Sequence, residues 1–220
     1  MQFFTHTSLS TLSSGRLRIA AFPGFAPFSW REGDRAYGRD IAFLTLFASL
    51  HGLEPVVEFH DFYRLWELPG RQAADVAASG ISMRPACNDG VTWSRPYSEV
   101  RRTLLVRAAD TEVIRGIRDV TRMSAVPGSA ADWHARRFLP RKAELSFIAN
   151  LEEGIEDLVL GNTDAVGTGS LSAHHHIAKH PGLAAVDVHG ELPPELISFV
   201  ARTPVLAALD DFIAHHGACY

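Results

Sequence analysis

The sequence predicts an α/β protein of two lobes, each a mixed sheet flanked by helices, joined by a hinge that the chain crosses twice. Three observations carry that reading. Short apolar runs bounded by Gly, Pro or polar residues alternate with longer segments of helical period. The stretch 75–97, DVAASGISMRPACNDGVTWSRPY, reads as a strand, a tight ligand-facing loop and a crossing, because a short apolar run ends in small residues and the chain resumes in the strand-like TLLVR of 103–107. No internal repeat or low-complexity linker divides the 220 residues, a length that holds one large domain or two small lobes, and the boundaries are read as those of two discontinuous lobes. The expected division is a loose arm over 1–16, a first lobe of 17–106 plus 196–220, and an inserted second lobe of 107–195.

Taken in order, residues 1–15 are rich in Ser and Thr and lack periodicity, which predicts the arm. Residues 17–21 predict a strand apolar on both faces, as in a sheet covered by helices on both sides. It runs into FPGFAPFSW at 22–30, where two prolines stiffen a loop carrying four aromatics, among them Phe25 and Phe28. Such aromatics form either a lid on the core or a wall for a ligand. Residues 40–50 place Ile41, Leu44, Phe47 and Ala48 at helical spacing, and Gly52 is placed to end the helix. The strand 55–59 leads to His60-Asp61-Phe62-Tyr63 at its carboxyl edge, where ligands gather in open α/β sheets. Asp61 and Phe62 are therefore pocket candidates, while an Asp after a strand equally serves as a helix N-cap. Ser79, Gly80 and Ser82 end the next strand, where small residues leave backbone donors and hydroxyls open to close approach. A plain turn between core strands has the same composition.

Residues 103–107 predict a strand, 108–110 a hinge, 113–120 an amphipathic segment and 123–126 a strand ending at Pro127-Gly128-Ser129. Ser129 is placed to cap a helix whose first turns are 130–137, and the free N–H groups there suit a carboxylate or another anion. A strand at 145–147, a helix at 151–160 and a strand at 164–166 lead to Gly167-Thr168-Gly169-Ser170. His174, His175, His176 and His180 follow on a helix, with His176 and His180 one turn apart. That spacing is open to a metal, but no companion Glu makes an H-E-x-x-H arrangement, and no metal or other cofactor is expected. Strands at 183–188 and 197–200 and a helix at 205–216 close the chain.

Composition narrows the function. The chain is 46% hydrophobic and 21% charged with a net charge of −4, and its one basic run, Arg136-Arg137 to Arg141-Lys142, is short, so nucleic acid is not an expected partner. Two cysteines, Cys87 and Cys219, provide no disulfide framework or metal motif. The first 18 residues have no basic start, no apolar run of secretory length and no lipid-anchoring cysteine. The expectation is a cytoplasmic chain as the sequence stands, periplasmic if an export signal has been removed, with no membrane insertion.

The segments LRIAAFPGFAPFSW (17–30), GRDIAFLTLFASLHGLEPVVEF (38–59), 75–97, SAVPGSAADWHARRFLP (124–140), LEEGIEDLVLGNTDAVGTGS (151–170) and HHIAKHPGLAAV (175–186) follow one another in a telling order. In that order the chain resembles the type II periplasmic solute-binding proteins of the amino-acid ABC-transporter class, from Leu17 to about residue 215. The resemblance implies a type II periplasmic-binding-protein-like fold, a small-molecule ligand between the lobes, a monomer, and an ABC-transporter permease as partner if the chain is exported. It implies that the 22–30 loop supplies an aromatic wall, with Phe25 where a tyrosine is common. Gly128-Ser129 match the first two positions of a ligand-gripping turn whose third hydroxyl Ala130 lacks. The departures bear on the ligand. The family's arginine for an α-carboxylate falls at Cys87, and its acid for an α-ammonium falls at Gly169, beside Thr168. A thiol does not replace a two-pronged guanidinium, so the α-amino-acid anchors are missing. Arg84, three residues before Cys87, is the candidate replacement, and Arg95 a hinge-surface charge.

The leading expectation is thus binding of a small acidic or aromatic molecule by Phe25, Phe28, Asp61, Phe62, Ser79, Gly80, Ser82, Arg84, Cys87, Gly128, Ser129, Thr168 and Gly169. An alternative is a lyase on the same scaffold, since SGIS at 79–82 and the pattern at 180–186 are also similar to cyclohexadienyl dehydratases. Asp61, His60 or Asp132 would then be its general acid, and Cys87 is open to a nucleophilic role. A third is a domain that has lost its ligand and serves protein interaction.

Overall fold

The computed structural model describes residues 9–84, 92–188 and 193–217. β1 (Arg16–Ala21) opens the first lobe, and β2 (Gly24–Phe25), β3 (Ser29–Glu32) and β4 (Arg35–Tyr37) form a small antiparallel sheet on the proline-stiffened loop. Helix α1 (Arg39–Leu50) then returns the chain so that β5 (Glu54–Phe59) lies parallel to β1, from Arg16 opposite Glu54 to Ala21 opposite Phe59. A parallel pair needs such a crossover, and α1 buries Ile41, Phe43, Leu44, Phe47 and Ala48 in making it. β6 (Val76–Ala77) pairs with the other edge of β1.

The chain leaves through β7 (Ser98–Val100) and builds the second lobe in the order β8 (Arg102–Arg107), β9 (Arg122–Ala125), α2 (Ala130–Phe138), β10 (Glu144–Phe147), α3 (Leu151–Leu160), β11 (Ala165–Gly169), α4 (Ser170–Lys179) and β12 (Leu183–Asp187). Its sheet runs β10-β9-β11-β8-β12, with β8 antiparallel to both neighbours. The return is β13 (Glu195–Ile197), antiparallel to β7, then β14 (Val200–Ala201), which completes the first sheet in the order β14-β6-β1-β5. Helix α5 (Thr203–His216) closes the chain against α1, where Phe43 and Phe212 rings meet at 4.7 Å. Among the described residues, no helix is long and apolar enough to cross a membrane.

Several local expectations change. Residues 103–107, expected to end the first lobe, pair in the second sheet. Thr103 to Val106 are fully buried there, and a buried strand must find ladder partners along both edges. The crossing therefore comes earlier, as the β7–β13 ribbon, and the hinge expected at 108–110 is a short helical turn whose Ala108 N–H donates to Gly182 O at 2.8 Å. The amphipathic segment 113–120 is turns around a single 3-10 turn, which bury Ile114, Ile117 and Val120. Of the N-terminal arm, the described residues are docked. Leu9 packs on the core of the first lobe, the Leu12 N–H donates to Asp75 at 2.9 Å, and Arg202 donates to Ser10 O at 3.2 Å.

The largest apolar cluster runs through both lobes, from Phe22, Phe25, Phe28, Phe62 and Trp66 to Val126, Ile148 and Leu151. The lobes thus meet across a packed apolar wall.

Candidate functional site

The loop after β6 is shaped by a buried carboxylate. Asp40, at the start of α1, accepts the N–H groups of Ser79 and Gly80, each at 2.8 Å, on one oxygen and the Tyr97 hydroxyl at 2.7 Å on the other. Those bonds hold Ser79 at φ 116° and Gly80 at φ 59°, left-handed values that cost a non-glycine residue about 1–3 kcal/mol unless the surroundings impose them. Gly80 is also sterically required, since a Cβ there would lie 2.6 Å from the Phe28 ring. Burial pushes the Asp40 carboxyl up to about 6, against the pull of its three donors, and burial together with the Asp40 charge pushes the Tyr97 phenol up.

Beyond this loop lies a closed pocket between the lobes. Phe25, Phe28, Phe62, Gly80, Ser82 and Arg84 line it from the first lobe, Val100 from β7, and Arg102, Ser129, Ala130 and Gly169 from the second. The void they enclose, about 20 Å³, has room for a water molecule and for no larger solute without movement of its walls. The apolar wall is a set of touching rings, with Phe25 6.2 Å from Phe28 and 5.6 Å from Phe62. The Arg84 guanidinium crosses the gap. Its Cζ lies 4.5 Å from the Trp66 ring of its own lobe and 3.8 Å from the Trp133 ring of the other, and its Nη2 donates to Gly128 O at 2.7 Å. Arg102 sends Nη1 to Thr168 O at 3.0 Å and pairs through Nε and Nη2 with Glu195, which also accepts the Ser82 hydroxyl at 2.6 Å.

On the second lobe, Ser129 caps α2 as its sequence suggests, its Oγ accepting the Asp132 N–H at 3.2 Å. Asp132 in turn accepts the Gly128 N–H at 2.9 Å and the Arg136 Nε at 2.6 Å.

Eight of the thirteen candidate residues therefore meet at one pocket: Phe25, Phe28, Phe62, Gly80, Ser82, Arg84, Ser129 and Gly169. Three others lie one layer behind it. The Ser79 hydroxyl accepts the Phe22 N–H at 2.8 Å and lies 2.6 Å from Ser29 Oγ, Gly128 offers its carbonyl to Arg84, and Thr168 offers its carbonyl to Arg102. Asp61 is elsewhere. It is exposed on a groove at the rim with Phe22, His60 and Ala149, and it caps no helix, because a turn led by Arg64 follows it. Cys87 lies outside the described residues. Arg95 is exposed, its N–H donating to Asp210 at 2.7 Å. His176 is buried in α4 and His175 packs near Trp30, ring centroids 6.0 Å apart, whereas His174 and His180 are exposed. Sequence reasoning missed Arg102, Glu195 and Asp40. The first carried a signal, an arginine pair at 101–102 just before the apolar run 104–106.

Comparison of the whole chain with solved structures finds the same two-lobed architecture repeatedly. A substrate-binding protein of an amino-acid ABC transporter from Streptococcus pneumoniae, bound to L-arginine, superposes with a TM-score of 0.85 at 24% identity, covering 93% of this chain and 90% of that one. An ancestral amino acid-binding protein described as a precursor of cyclohexadienyl dehydratase gives 0.83 at 23% identity over 93% and 90%. The arginine-bound truncated arginine-binding protein of T. maritima gives 0.82 at 20% identity over 91% and 96%. At these identities the likeness establishes the type II periplasmic-binding-protein fold. No curated protein sequence matches. The family model of the bacterial extracellular solute-binding proteins, family 3, matches residues 17–213, and with the two-lobed fold and the pocket at its centre the chain belongs to that family.

Proposed function

We propose that this protein binds a small acid, with an apolar or aromatic body and no α-ammonium group, by closing its two lobes on it. The observation that carries this is the polarity of the pocket wall. Two guanidiniums, Arg84 and Arg102, line it together with Ser82 and Ser129, and among the described residues the carboxylate bonded to that wall, Glu195, is already taken by Arg102 and Ser82. An anion is welcome between such groups, whereas an ammonium finds no carboxylate of its own to meet. Phe25, Phe28 and Phe62 offer the facing surface to an apolar body. The partial positive charge at the start of α2, where Ser129 and Ala130 reach the pocket, adds in the same direction. The protein acts as a monomer, and if exported it serves the permease of an ABC transporter; a structure it is similar to is described as the substrate-binding protein of an amino acid ABC transporter.

Binding without chemistry is favoured over a lyase reaction by where the acids sit. Asp61 and His60 are on the outer groove, and Asp132 is spent on the Gly128 N–H and Arg136. General acid catalysis needs the donor within hydrogen-bond reach of the reacting group.

Calorimetric titration with 3-phenylpropionate and with phenylalanine, which differ only in the α-ammonium, tests the reading. The acid is expected to bind one equivalent without conversion, and the amino acid at least tenfold more weakly. Tighter binding of phenylalanine overturns it, and a new mass appearing beyond one equivalent replaces it with an enzyme. Arg84→Ala is expected to weaken the acid roughly ten- to hundredfold, the range of a charge-assisted hydrogen bond. Unchanged affinity removes Arg84 from the site.

A further inference from the structure

We propose that Glu195 is a built-in occupant of an anion seat at the edge of the pocket, bridging Ser82 of the first lobe to Arg102 of the second, and that a carboxylate solute binds by displacing it. The inference rests on the acid-binding reading above.

Glu195 makes the contacts a bound carboxylate would make. One of its oxygens accepts Arg102 Nε at 3.2 Å, and the other accepts both Nη2 of the same guanidinium and the Ser82 hydroxyl at 2.6 Å. A side-on, two-pronged pair of this kind is the geometry by which guanidinium recognises carboxylate. The seat itself is fixed by backbone. Arg102 is oriented by its bond to Thr168 O, Ser82 bridges to Ile197, and the Met83 N–H donates to Leu196 O at 2.8 Å. Glu195 stands opposite Val100 in the ribbon that joins the lobes, so one carboxylate ties together both lobes and the crossing between them.

The two partners differ in their access to water. The Arg102 side chain is 6% exposed and needs an anion beside it, whereas Glu195 is 31% exposed and reaches solvent by a side-chain rotation. The anion that leaves is thus the one whose charge water can take up. Glu195 already takes the Arg102 Nε and Nη2 and the Ser82 hydroxyl that a solute carboxylate would need, so the solute and Glu195 exclude each other at that seat. A solute then meets a seat that is competent only while Glu195 is out, and its apparent affinity falls by that fraction.

The test compares the unmodified protein with Glu195→Gln, by calorimetry with 3-phenylpropionate and by the radius of gyration in small-angle scattering. Glu195→Gln is expected to bind the acid at least tenfold more tightly, to have a larger radius before the acid is added, and to return to the compact radius at saturation. Glu195→Asp, which keeps the charge but is one methylene too short to span Ser82 and Arg102 together, is expected to shift both readouts in the same direction by less, and serves if the glutamine variant does not fold. Acid binding by the unmodified protein with no gain in either variant overturns the role of Glu195 and leaves the acid reading standing. No acid binding by any of the proteins overturns both, whatever the radii do.

Discussion

Two buried ionisable side chains give the folded protein opposing pH dependences in the same window. The Asp40 carboxyl is pushed up to about 6 by burial, so the folded state holds that proton more tightly than the unfolded chain does. Its contribution to stability is present below about pH 4 and is lost as pH rises through 6. The His176 imidazole is pushed down to about 4, by burial first and then by the neighbouring His175, Lys179 and His180. Its contribution is present above pH 6.5 and is lost as pH falls toward 4. Denaturant titrations at pH 4 and pH 7 separate the two. The cost of Asp40→Asn is expected to shrink by up to about 3 kcal/mol on going to pH 7, from 1.36 kcal/mol per pK unit, whereas the cost of His176→Gln shrinks on going to pH 4. Parallel profiles for the two variants would refute this. At the same scale, Gly169 lines the pocket, and the proposed reading makes it a position that selects the solute. Its φ of −98° suits any residue, and a Cβ there would make an ordinary contact at 3.4 Å with Val100. Gly169→Asp is expected to fold, to gain phenylalanine binding in calorimetry and to weaken 3-phenylpropionate at least tenfold. A variant that still prefers the plain acid would show that position 169 does not face the solute.

Among the elements, α2 couples local sequence to the pocket most directly. Ser129 was placed as the cap by the sequence, and the structure joins it to Asp132 in a cap that also fixes the Gly128 turn, whose carbonyl receives Arg84 from the other lobe. Ser129→Ala is expected to cost about 1 kcal/mol, the usual loss for an N-cap, read as a lowered denaturant midpoint with an unchanged slope. A change below the error of that midpoint would mean that Asp132 caps the helix unaided. The short elements were the hardest to read from sequence. β6 and β14 have two residues each, and β7 and β13 three, too few for a period to declare itself. β8 was legible as a strand but not as a member of the second sheet, because its apolar run is the same whichever sheet buries it.

For the whole molecule, Asp75 is the junction of distant parts of the chain. Wholly buried, it accepts the Leu12 N–H at 2.9 Å, the Arg18 N–H at 3.0 Å and Arg202 Nη1 at 3.0 Å, tying the N-terminal arm, β1 and the start of α5 to the strand that carries the pocket loop. Removing one partner of a buried pair leaves the other uncompensated, and Asp75→Ala is expected to cost about 3–5 kcal/mol in denaturant unfolding. Arg202→Ala should cost less, since the N–H groups of Leu12 and Arg18 keep their acceptor, and an equal cost would point to Arg202 as the anchor instead. The sequence by itself determined the two-lobed α/β class, the long helices, the Ser129 cap and most of the pocket wall, because those follow from period, caps and the order of motifs along one chain. Only the tertiary structure decided that Asp61 stays on the rim, that Arg84 spans the lobes between two indoles, and that Arg102 meets Glu195 across 93 positions of sequence. Those are pairings between remote segments, set by how two sheets and their ribbon pack, and no local pattern encodes which buried charge finds which partner.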